Sequence, residues 1–110
     1  MSYDIHITSA AERDISNAAD YIEFVLKNPK AADDLLNKAT EGIGSLSEFP
    51  KIHRLVDDSV LASWGIRFIS IGSYLAFFFI SEDTGRVTVV RFLLSKSNWN
   101  MILQQGFCCD

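Results

Sequence analysis

Residues Tyr3 to Thr8 alternate, with Tyr3, Ile5 and Ile7 on one face and Asp4, His6 and Thr8 on the other. That period of two predicts a short, half-buried strand. Ser9 stands three residues before Glu12, the spacing in which a hydroxyl and a carboxylate each satisfy a free backbone N–H, so a helix is expected to start there. Ile15, Ala18, Ala19, Ile22, Val25 and Leu26 then recur at three- and four-residue steps, predicting one buried face through Leu26. Asn28-Pro29 ends this helix and opens a second, because Pro lacks the N–H a helix interior needs yet suits the first helical position after an Asn cap. Ala32, Leu35, Leu36, Ala39, Ile43 and Leu46 carry the second apolar stripe as far as Phe49-Pro50, and fraying is expected near Gly44.

The second half changes character. Lys51 to Ser63 has no clear period and reads as a connecting loop with a short strand around Val60 to Ala62. Three β-rich runs follow, Ile66 to Ile71, Tyr74 to Ser81 and Arg86 to Leu94, separated by Gly72-Ser73 and by Glu82-Asp83-Thr84-Gly85. They predict an antiparallel meander whose apolar middle run is covered on both faces, with helices over one of them. Ser97 is placed to cap a short helix from Asn98 to Gln104 that docks through Trp99, Ile102 and Leu103. The order reads as one α+β domain over residues 1–110, with 106–110 as a loose tail.

Composition narrows the class. At 110 residues and 48% hydrophobic the chain can bury a core without disulfides, and a net charge of -4 speaks against a general nucleic-acid coat. Before Pro50 stand 9 acidic and 4 basic residues, after it 5 acidic and 6 basic, so the negative charge belongs to the helical half. The only cysteines, Cys108 and Cys109, are adjacent near the end, and His6 and His53 form no ligand spacing, so neither a disulfide framework nor a metal site is expected. The start lacks a basic segment followed by an apolar one, and the apolar run Tyr74 to Ile80 is too short for a bilayer; a reduced cytoplasmic chain is expected.

An ordered set of segments carries a family resemblance: Tyr3 through Asp14, Asp20-Tyr21-Ile22, Asn28-Pro29 with Ala31-Ala32, Leu46-Ser-Glu-Phe-Pro50, Gly65-Ile-Arg67, Tyr74-Leu-Ala-Phe-Phe78, and Val90 through Leu103. In this order the chain resembles toxins of the RelE/ParE superfamily from type II toxin–antitoxin modules, and the Asn-Pro hairpin and the ending from Arg91 to Leu103 resemble the ParE-like branch more. The resemblance implies a RelE/ParE-like fold, no cofactor, and a cognate antitoxin that holds the toxin inactive in a hetero-oligomer. It implies one of two actions: ParE-like binding of a target such as DNA gyrase, or RelE-like cleavage of mRNA on the ribosome. An attenuated member that only binds antitoxin is the third outcome.

The residues bear on that choice. RNA cleavage by a 2′-hydroxyl needs groups to take and return protons and cations to hold the phosphate. Leu93 and Leu94 occupy positions where the resemblance leads one to expect a His–Tyr pair, and Phe78 stands where a Tyr is usual, leaving Tyr74 as the strand's phenol. Arg67, Arg91 and Lys96 are the catalytic candidates and could form a cationic cluster, though arginines on strands commonly pair with surface carboxylates, here Glu82 or Asp57. Together with Tyr74, Trp64 and Trp99 they are also the candidates for contact with antitoxin or target. Trp99 reads first as an anchor for the last helix. His53 reads as a solvated loop side chain. A meander also ends in an edge strand, whose unpaired N–H and C=O groups suit an added antitoxin strand.

Overall fold

The structure is a computed structural model that describes residues 2–105. The expected loose tail with Cys108 and Cys109 lies outside the described residues. The elements run β1 (Asp4–Ile7), α1 (Ser9–Asp20), a π-helical turn (Tyr21–Val25), α2 (Pro29–Ser45), a 3-10 turn (Pro50–Ile52), α3 (Ser59–Ser63), β2 (Arg67–Ile71), β3 (Tyr74–Ser81), β4 (Arg86–Leu94) and α4 (Trp99–Gln104). The sheet order is β1-β4-β3-β2: the meander β2-β3-β4 is antiparallel as expected, and β1 lies parallel along the outer side of β4. Among the described residues no helix is long and apolar enough to cross a membrane.

The sheet has an apolar layer on each face. Toward α1 and α2, the helices contribute Ala11, Ala18, Leu35, Ala39 and Ile43, and the sheet contributes Ile69, Ile71, Phe78, Val87, Val89 and Phe92. Small helical side chains bring the helix axes close to the sheet. At Gly42 the fit is tightest, since a Cβ there would stand 3.3 Å from Cδ1 of both Ile69 and Ile71. Toward α3 and α4 the layer is Val56, Leu61, Ile66, Phe77, Val90 and Leu103, with Trp99 packed on it.

Several local details depart from the sequence reading. The cap of α1 is Thr8 rather than Ser9: the Thr8 hydroxyl accepts from Ala11 N–H at 3.1 Å and donates to Val90 C=O at 3.0 Å. With the cap one residue earlier, Ala11 rather than a carboxylate stands at the third helical position. The buried face of α1 stops at Ile22 because the helix widens into the π turn, whose extra residue swings the following side chains around by about 100°. Val25 and Leu26 are therefore exposed, with Tyr21 and Phe24. Lys27 at φ 54 reverses the chain, and Asn28 caps α2 by accepting from Ala31 N–H, with Pro29 in the first turn as the sequence indicates.

The second helix does not fray at Gly44 but continues to Ser45, where the seryl hydroxyl donates to Gly42 C=O. The stretch expected as a strand near Val60 is α3, because Asp58 caps it by accepting from the N–H groups of Val60 and Leu61. In α4 the flanking residue is Asn98, and the Ser97 hydroxyl is turned back onto Leu94 C=O.

The buried hydroxyl of Thr8 serves two elements at once. Thr8→Val is expected to lower unfolding free energy by about 2 kcal/mol, through a lost cap and an unpaired buried carbonyl, while Thr8→Ser keeps most of it. Urea denaturation of the two variants checks this.

Candidate functional site

Strand β4 carries the geometry on which the candidate residues depend. Its register with β3 pairs Phe77 with Arg91 and Phe78 with Val89, so Val90 is one residue too many and bulges. The β1–β4 ladder ends at Ile7–Val89, and beyond it α1 supplies the partners for β4. Thr8 N–H donates to Val89 C=O, the Thr8 hydroxyl donates to Val90 C=O, and Asp14 Oδ2 accepts from Phe92 N–H at 3.1 Å.

Arg91 is turned into the same place. Its Nε donates to Asp14 Oδ2 at 2.6 Å and its Nη2 to Oδ1 at 3.0 Å, a two-pronged contact with both side chains mostly buried. The hydrogen bond to Asp14 holds the guanidinium even more firmly protonated than usual, against the opposing effect of burial. Arg67 opens β2, and its Nη1 donates to His53 C=O at 2.7 Å. Neither arginine pairs with Glu82 or Asp57 as the sequence suggested; Glu82 instead takes Lys51 at 2.6 Å and the Tyr3 hydroxyl at 3.3 Å. Lys51 holds the Glu82 carboxyl below its ordinary range.

The expected cationic cluster is therefore not assembled. Arg67 and Arg91 sit on strands separated by β3, each held by its own partner, and Lys96 lies exposed in the turn after β4. Tyr74 stacks on Phe92 with ring centroids 5.0 Å apart, and burial first, then the nearby Tyr21, raises its hydroxyl pKa. Trp99 packs on Phe77 at 5.2 Å, the anchoring arrangement expected of it, and Trp64 closes α3 about half exposed. Leu93 packs into the second layer and Leu94 is exposed, so the end of β4 presents no proton-transfer side chain.

Sequence reasoning missed two residues here. Asp14 carries no spacing signal, since its partners are about 77 positions away. His53 is no free loop residue but packs edge-on against Phe78 at 6.0 Å, and burial, then Arg67, lowers its pKa. Among the described residues no group of His, Cys, Asp and Glu could hold a metal ion.

Removing Asp14 alone strands a guanidinium and an N–H, so Asp14→Ala is expected to cost about 3 kcal/mol, while Asp14→Leu with Arg91→Met costs much less. Chemical denaturation of the single and paired variants gives the comparison. For His53 the unfolded chain takes up a proton first as pH falls through about 6.5, so the folded state loses stability from there down to the lowered folded-state pKa. Thermal midpoints measured from pH 7.5 to 5 should fall less steeply in that window for His53→Gln than for the parent.

Known proteins share this fold. Three solved structures align over most of their own length. The M. tuberculosis toxin–antitoxin complex RelBE2 shows 17% identity over 86% of this chain and 99% of that one, with TM-score 0.59. The chromosomal ParDE system of P. aeruginosa shows 17% identity over 84% and 96%, with TM-score 0.68. A mutant of the E. coli toxin RelE in the free state shows 12% identity over 96% and 98%, with TM-score 0.60. At such identities the likeness establishes the fold alone. No curated protein sequence matches the chain significantly. The family described as the ParE toxin of the type II toxin–antitoxin system parDE matches residues 5–99, and the chain belongs to that family.

Proposed function

We propose that the protein is the toxin of a type II toxin–antitoxin pair, neutralised by a cognate antitoxin, and that when free it arrests growth by binding a large cellular target such as DNA gyrase. Membership in the ParE toxin family and the fold shared with toxins of RelBE and ParDE systems support the first part. The observation that carries the second is the commitment of Arg91. A phosphoryl transition state needs a cation free to meet it, and this guanidinium has two of its donors on Asp14 beneath α1. With leucines at positions 93 and 94, the end of β4 also lacks an acid or base to move the proton of a 2′-hydroxyl.

The competing reading is ribosome-dependent mRNA cleavage with Arg67, Arg91 and Lys96 stabilising charge, and the attenuated reading is antitoxin binding alone. Expression of the chain by itself in a bacterial host separates the three. Gyrase-dependent DNA breaks with intact messages are expected; message cleavage at fixed codon positions overturns the binding reading, and unimpeded growth overturns toxicity. The variant Arg67→Ala with Lys96→Ala is expected to fold and to remain toxic, whereas a nuclease relying on those cations would lose its toxicity.

A further inference from the structure

The turn that joins α1 to α2 shows apolar side chains to solvent. A regular α-helical continuation would return Val25 and Leu26 to the stripe of Ile15, Ala18, Ala19 and Ile22, but the π turn closes with Leu26 N–H on Tyr21 C=O at 3.1 Å and carries them out of it. The same closure lays Val25 and Leu26 over Tyr21 on one side. Tyr21 is 52% exposed, Phe24 66%, Val25 61% and Leu26 57%. Two uncommon backbone states hold this turn: the π turn, a form met mostly at functional sites, and the left-handed Lys27 that follows it. The apolar surface continues to the end of the sheet, where Tyr74 lies near Tyr21 and the exposed Leu94 stands opposite Tyr74 in the β3–β4 register.

Area and charge select what covers it. At these exposures the four side chains present about 500 Å². Two copies facing each other there remove about 1,000 Å² from water, the lower end for a specific interface. The charges along the turn are ordered: Asp20 and Glu23 come before its centre, Lys27 and Lys30 after it, and the next acids, Asp33 and Asp34, stand a turn further along α2. Among the described residues none of Asp20, Glu23, Lys27 and Lys30 makes an ion pair within the chain. The segment from Asp20 to Lys30 is therefore neutral in a chain of net charge -4, so two copies meet here without adding negative charge to negative charge. Antiparallel pairing across a twofold axis sets the acids of one copy against the lysines of the other, whereas parallel pairing sets like against like. A purely basic or purely acidic partner gains from half of this pattern; a second copy satisfies both halves.

We infer that the exposed face of the π turn, formed by Tyr21, Phe24, Val25 and Leu26, is a self-association surface on which two copies of the free chain pair antiparallel about a twofold axis near Val25. The interface needs only this chain, so it stands or falls separately from the toxin reading. Its small area makes the dimer weak, with a Kd of about 10–100 μM.

Sedimentation equilibrium of the full-length protein over about 1 to 500 μM, which brackets that Kd, tests it. A reversible monomer–dimer equilibrium is expected. Val25→Asp, at an exposed position, is expected to weaken the dimer at least tenfold with an unchanged unfolding midpoint. Asp20→Lys with Glu23→Lys, and Lys27→Glu with Lys30→Glu, are each expected to weaken it at least tenfold, and an equal mixture of these two variants to restore it. In the unmodified chain, rising concentration is expected to shift the amide NMR signals from Tyr21 to Lys27 and to leave those of Ile5 and Ile7 in place; this readout holds whatever a variant does to folding. A monomer throughout, a dimer indifferent to Val25→Asp or to the single-sign variants, or shifts confined to β1 or β2 overturns the inference. A chain monomeric throughout whose signals from Tyr21 to Leu26 move only when the product of the adjacent open reading frame is added overturns self-pairing and gives the face to that partner.

Discussion

The bulge at Val90 and the α1 side chains that close it are the constraint on which the rest of the structure depends. A strand interior left with an unmatched residue exposes backbone groups that no neighbouring strand can reach. Here β1 ends where the bulge begins, and the chain turns into α1 at that point with Thr8 and Asp14 aimed at Val90 and Phe92. Five hydrogen bonds, from Thr8 to Val89 and Val90 and from Arg91 and Phe92 to Asp14, thus fix where α1 crosses β4. Once α1 is fixed, the π turn and the reversal at Lys27 set the path of α2, and Gly42 lets α2 settle onto Ile69 and Ile71. The helical layer is positioned by polar groups and filled by apolar ones.

That arrangement decides which charges can act elsewhere. Arg91 is part of the closure, so its role in the fold competes with any role in binding a phosphate. Arg67 is held by a carbonyl, which takes one donor and leaves the others of its guanidinium, and Lys96 is exposed. Stabilising a compact transition state needs charge that converges on a single atom, and Asp14 withholds Arg91 from such a role.

Much of the fold is legible in the sequence because its signals are local. The alternation from Tyr3, the runs from Tyr74 and Arg86, and Asn28-Pro29 each report an element through its own residues. The errors fall where two local signals compete or where a distant partner decides. Thr8 and Ser9 are both able to cap, and Val90 C=O, available only in the folded sheet, selects Thr8. The aliphatics at Val60 and Leu61 suit a strand, yet the Asp58 carboxylate before them satisfies two N–H groups and starts a helix. At the candidate site Arg91 is visible as a basic residue on a strand, but its commitment to Asp14 is not, because only tertiary packing brings the two together. The same holds for β1: alternation reveals the strand and says nothing of which neighbour it takes.

The placement of β1 at the end of the sheet leaves its outer side without a neighbouring strand. A four-stranded sheet with one open edge risks pairing with a second copy. The usual devices are charge, brevity and cover, and the last two occur here: the Ser47 carbonyl takes the Tyr3 N–H and shortens the open stretch, and residues of α1 and α2 line the groove beside Ile5 and Ile7. Brevity and cover weaken every added strand alike.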